Sequence, residues 1–253
     1  MNFVLLCGVV LLFCIDYFIT YKGTVNRNKD LTEKQRAHIL SIKASITLFI
    51  LSMYFNYKFM KSGFDLDLYK TNIENGDNFV VLLSVCNLIA YFITDCYIGY
   101  RKYNKYMCTL AGYPHHIIYI FISIYTLFYD VSSFYLLFMV EELPTTILST
   151  GNYNKIFRKD YLFGFTFFCV RILYHLYLVF KFSANKLYLI LGIVSFGVHS
   201  FWFKNWFTKY FLQNTVHSLI SFPNLLGHRL NQFLLPSKTL LDASYNIPKY
   251  RCA

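Results

Sequence analysis

Two adjacent histidines, His115 and His116, open one apolar segment of this chain, in the stretch "AGYPHHIIYIFISIYTLFYD". Ionisable residues recur inside its other apolar runs. Asp95 follows Ser84, Asn87 and Tyr91 at steps of three, four and four. Glu141 and Glu142 precede Thr145 and Thr146, Arg171 and His175 stand one helical turn apart, and His199 sits in a later run. Histidine titrates near neutrality, so a neutral imidazole takes a proton from an attacking amine while a neighbouring carboxylate orients its ring. Asp95 with His115 and His116 therefore reads as an acid–base group. Neighbouring residues on a helix point about 100° apart. At most one of the two histidines faces an interior squarely, and His116 is the one expected to. Adjacent imidazoles are poor chelating geometry for one ion, and no metal site is expected. Glu142, Arg171, Asn87, Tyr91 and His199 read as the lining of a polar cavity, with Glu142 and Arg171 as an ion pair or joined through water.

The elements that must position these groups follow from composition. The chain is 56% hydrophobic and only 15% charged, where a soluble domain carries about a quarter charged residues. That leaves too little polar surface to cover a core in water and points to a membrane protein. About 20 helical residues cross the ~30 Å hydrocarbon layer. Apolar runs near 2–21, 36–56, 78–99, 114–129, 130–150, 160–181 and 186–207 predict an all-α, polytopic bundle of about seven spans. The stretch from Ile117 to Ser149 would reach about 50 Å as one rod, too far for a single crossing, so a turn is expected near Asp130. The seven cysteines show no CxxC and no metal spacing and read as small hydrophobes.

Basic residues gather in 22–36, 101–105, 155–159 and 204–251, while Lys58, Lys61, Lys70, Lys181 and Lys186 lie on the opposite side. Cytoplasmic loops collect Lys and Arg, which predicts a lumenal N-terminus and a cytosolic C-terminus. The net charge of +11 is then mostly loop bias that favours anionic lipid headgroups, and no nucleic-acid partner is expected. On that topology Asp95 lies about 6 Å inside the cytosolic rim. Glu142 and His199 lie about 12 Å deep and Arg171 about 16 Å. A charge at a helix centre costs about 2.5–3.5 kcal/mol, and ionisable groups there usually mark a site or pathway. Three regions are expected: a membrane anchor and cytosolic loop over 1–34, a transmembrane domain over 35–207, and a cytosolic amphipathic or flexible tail over 208–253. Trp202 and Trp206 read as an interfacial anchor.

The order "YFITDCYIGY", "YPHHIIYI", "FMVEELPTTIL", "FCVRILYHLY" resembles the TLC family, named for TRAM, the Lag ceramide-synthase group and CLN proteins. The resemblance covers about 35–207 and rests on Asp95, His115, His116, Glu142 and Arg171. It implies a six-helix TLC-type barrel around a cavity, here preceded by one extra helix. In the ceramide-synthase branch the histidine pair and later aspartates support transfer of an acyl chain from acyl-CoA to a sphingoid amine. This chain has Tyr119 where a Thr follows the pair in those enzymes. Asp130 and Glu141 do not reproduce their later acidic stretch. "EELPTT" looks like the other branch, associated with membrane lipid composition, with Pro144 in place of its usual Ser. The resemblance thus implies a protein of the endoplasmic reticulum or a related endomembrane that handles or regulates membrane lipids through a polar cavity, without a cofactor. The alternatives are an acyl-CoA-dependent N-acyltransferase, with acyl-CoA as co-substrate, and a transporter or a cargo- or translocon-associated protein.

Overall fold

Long apolar runs become rods, and proline or a left-handed residue decides where a rod ends. The computed structural model describes residues 3–110 and 112–212; the expected tail beyond 212 lies outside them. Every regular element among the described residues is helical. In order they are α1 (Phe3–Arg27), α2 (Glu33–Arg36), α3 (Ile39–Lys61), α4 (Leu66–Glu74), α5 (Asn78–Lys102), α6 (Asn104–Met107) and α7 (Tyr113–Phe128). Then come α8 (Ser132–Leu137), α9 (Glu142–Tyr153), α10 (Asp160–Phe167), α11 (His175–Lys181) and α12 (Lys186–Trp206). A 3-10 turn, Phe138–Glu141, joins α8 to α9, and a π-helical stretch, Phe168–Tyr174, joins α10 to α11.

Among the described residues, five helical stretches are long and apolar enough to cross a membrane: Phe3–Arg27, Glu33–Lys61, Asn78–Lys102, Asp160–Lys181 and Lys186–Tyr210. The chain is a multi-pass, integral membrane protein. The other two of the seven expected spans take a different form. The fourth is α7, with 16 residues and a length of about 24 Å. The fifth is not one rod but α8, the 3-10 turn and α9 in series. The break has a local cause. Pro144 sits in the first turn of α9, where its missing N–H costs least, but a helix continuing from α8 would need that N–H for the Val140 carbonyl. The turn between α7 and α8 falls at Asp130, whose φ of 55° is left-handed, a conformation Asp tolerates better than most residues.

The ends are tied by side chains. Thr32 and Gln35 form a capping box at α2, and Gln35 Nε2 donates to the Tyr153 carbonyl at 2.9 Å. The basic loops before α3 and after α9 therefore meet at one end, around a cleft of about 580 Å³ lined by Asn28, Lys34, Lys155 and Arg158 among others. At the opposite end Lys58 pairs with Asp77 at 3.0 Å, and Lys181 Nζ donates to the Phe64 carbonyl at 3.1 Å.

α5 is the central helix. Of its most apolar window 67% is buried against protein, compared with 6% for α1. α1 leans on α5 through Tyr17 and Tyr21 and exposes Leu5, Leu11, Leu12 and Ile19, as a helix facing lipid does. Leu40, Leu48, Phe55 and Phe59 of α3, Val85 and Leu88 of α5, and Leu136 and Leu137 of α8 fill the core. Trp206, the last residue of α12, also makes a close contact within the protein. Its ring packs against Gly164 of α10, where a Cβ would come within 1.9 Å of Trp206 Cζ2. Cys7, Cys14, Cys86, Cys96 and Cys169 carry free thiols.

Candidate functional site

Two polar groups face one another inside the helices. The first is built on α5 and α7. Helical spacing puts Ser84, Asn87, Tyr91 and Asp95 on one stripe of α5, and all four are buried. Asp95 accepts a hydrogen bond from Tyr103, the residue that ends α5, at 2.5 Å on Oδ1. Its Oδ2 lies 3.6 Å from His116 Nδ1, and Cys96 Sγ is 3.7 Å from the same nitrogen. His116 is buried and His115 half-buried, the division expected from their 100° offset. The His115 ring lies 4.3 Å from the Tyr119 ring and 5.9 Å from Phe92. Tyr91 shares a hydrogen bond of 3.1 Å with Ser41 of α3. Asn87 accepts from Tyr17 of α1 at 3.1 Å, which places it in the α1–α5 seam rather than beside the acid–base group.

The second group lies where the helical regularity fails. Glu141 closes the 3-10 turn, Arg171 sits in the π-helical stretch, His175 begins α11, and His199 comes from α12. Arg171 Nε donates to the Glu141 carbonyl at 2.8 Å and its Nη2 to Thr145 Oγ1 at 2.7 Å. Its Nη2 is 3.9 Å from Glu142 Oε1, so the expected pair is present as a long contact. The buried carboxylate is Glu141, 7% exposed; Glu142 is only half-buried. Glu141 Oε1 is 2.7 Å from His175 Nδ1, and Oε2 is 3.5 Å from His199 Nδ1. His175 Nε2 faces the Gly192 carbonyl at 2.9 Å. A carbonyl only accepts, so Nε2 carries a proton, and the short contact between Nδ1 and Glu141 holds a second one, on the imidazole or on the carboxyl.

Tyr119 extends the first group, its ring 4.3 Å from His115 and 6.5 Å from Tyr135. None of the expected site residues lines the Lys34–Arg158 cleft. Three participants were visible in the sequence as polar residues within spans but were not chosen: Glu141, His175 and Thr145. Tyr103 carried no signal, because it follows the apolar run and reaches back to Asp95. Comparison with known proteins finds no family model, no curated protein and no solved structure that matches this chain.

Proposed function

We propose that the protein handles or regulates membrane lipids, its polar interior receiving a lipid headgroup, as a TLC-type protein of the endoplasmic reticulum or a related endomembrane with a lumenal N-terminus and cytosolic C-terminus. One observation carries this reading. Elements far apart in sequence converge their ionisable side chains: Asp95 from α5, His116 from α7, Glu141 from the 3-10 turn, Arg171 from the π-helical stretch and His199 from α12. Charges inside a bilayer are expensive and persist where they serve a ligand or a pathway. The order of the four sequence motifs supports the family, and the meeting of two basic loops at one end supports the topology.

A second reading, N-acyl transfer from acyl-CoA to a long-chain amine, is favoured by one contact. Asp95 lies beside His116 and is itself held by Tyr103, which suits a carboxylate-oriented general base. One comparison separates the two. Wild type and His116→Ala are purified in detergent, co-purifying lipids are measured by mass spectrometry, and acyl-CoA consumption is assayed with several long-chain amines. Retained lipid with no turnover in either protein is the expected result. Turnover that His116→Ala abolishes favours acyl transfer. Lipid content no different from that of an unrelated helical membrane protein, without turnover, refutes both.

A further inference from the structure

We propose that Glu141, His175 and His199 bind one divalent transition-metal ion, with zinc the best fit. The inference concerns the interior group alone and stands whether or not the lipid reading holds. The sequence pointed away from a metal because it offered adjacent imidazoles; the fold instead gathers a carboxylate and two imidazoles from three separate elements. One donor atom from each of these buried residues lies within 4.8 Å of the others. Tetrahedral ligands at about 2.0–2.1 Å from zinc stand roughly 3.3 Å apart. His175 Nδ1 lies 2.7 Å from Oε1 of Glu141 and His199 Nδ1 lies 3.5 Å from Oε2, so the two imidazoles approach opposite oxygens of one carboxylate, and an ion seated between them would draw one oxygen and both nitrogens to that spacing.

Three further features favour an ion over a simple ion-pair network. First, His175 Nε2 is held by the Gly192 carbonyl at 2.9 Å, with Ser195 Oγ at 3.1 Å. A metal-bound histidine commonly donates its other N–H to a carbonyl in this way, which turns the free nitrogen toward the ion. Second, His199 is 5% exposed, and its Nδ1 has no hydrogen-bond partner while it faces the carboxylate. A proton shared between Glu141 and His175 satisfies Oε1 and leaves that nitrogen orphaned; a metal ion engages all three donors. Third, Arg171 does not occupy the carboxylate. It bonds the Glu141 backbone carbonyl and Thr145 and lies near Glu142, whose charge offsets its own.

The donor set decides the class of ion. Two imidazoles and one carboxylate form a known zinc set that leaves a fourth position open to water or a ligand. Calcium and magnesium prefer oxygen ligands and copper(I) prefers sulfur. The location is consistent as well, since His175 begins where the π-helical stretch ends, and π-bulges concentrate at functional sites.

The test uses the full chain in detergent with any affinity tag removed. The protein is stripped with chelator, loaded with zinc chloride, passed through gel filtration and counted by elemental mass spectrometry. Wild type should retain a single equivalent, and so should His116→Ala, which alters a buried histidine elsewhere. His199→Ala should weaken retention by at least about tenfold, the lower range for losing an outer-shell partner alone. Glu141→Gln, which preserves shape, should do the same and guards against misfolding of the alanine variant. Cobalt(II) loaded in the same way should give the visible absorption of a low-coordinate site in wild type and lose it in Glu141→Gln. Wild type that retains no zinc, or a full equivalent kept by folded Glu141→Gln, overturns the proposal.

Discussion

Replacing Arg171 with leucine tests how the second polar group is held. The guanidinium makes two short hydrogen bonds, at 2.8 Å to the Glu141 carbonyl and 2.7 Å to Thr145 Oγ1, and one ionic contact at 3.9 Å to Glu142. Hydrogen bonds between membrane helices average about 0.6 kcal/mol and reach about 1.7, so the two bonds together contribute about 1–3.5 kcal/mol. The Glu142 side chain is 24% exposed, and a partly wet pair adds no more than about 1 kcal/mol. Arg171→Leu should therefore cost about 1.5–4 kcal/mol. Adding Glu142→Gln should recover no more than about 1 kcal/mol, because most of the loss lies in the bonds to Glu141 and Thr145. The assay is a double-mutant cycle on reversible unfolding from mixed detergent micelles, with Thr145→Val as the second partner. Full recovery on adding Glu142→Gln would show that the ion pair carries the energy and refute this partition. A cost below about 0.5 kcal/mol would remove Arg171 as an organiser of the site altogether.

Two further outcomes follow from the ends of the helices. Asp77, just before α5, accepts from Tyr54 at 2.5 Å and pairs with Lys58 at 3.0 Å. Burial pushes its carboxyl up, but the bonds from Tyr54 and Lys58 outweigh that and hold it below the usual carboxylate range. Its stabilising effect is thus present above the unfolded value of about 3.9 and is lost as pH falls through the lower folded value. Asp77→Asn should lower the melting temperature at neutral pH and narrow its gap to wild type below about pH 4; a gap constant with pH would contradict this. At Gly112 an added Cβ would meet the Met107 backbone, 2.0 Å from its carbonyl oxygen. Backbone yields poorly, so Gly112→Ala should cost about 1–3 kcal/mol and displace the start of α7, two residues before His115. Unchanged melting would show that the α6–α7 connection repacks freely.

The tyrosine reaching Asp95 and the glutamate reaching His175 show where sequence reading stops. Hydropathy is a sum over about 20 neighbouring residues, so the long apolar rods, their buried ionisable residues, the turn at Asp130 and the basic loops were all legible along the chain. The division between His115 and His116 was legible too, because α7 is regular and the 100° offset applies. The choice between Glu141 and Glu142 was not. It depends on helix phase, and a 3-10 residue advances about 120° where an α residue advances about 100°. Over Phe138–Glu141 the difference reaches about 80°, nearly one residue's rotation, and it turns Glu141 inward in place of Glu142. His175 and His199 meet Glu141 only because α11, α12 and the turn pack together, and Tyr103 meets Asp95 only because α5 ends where it does. Sequence by itself determined that polar groups lie inside a membrane-spanning helical body; tertiary packing decided which of them touch, because contact depends on phase and crossing between distant elements that no local pattern records.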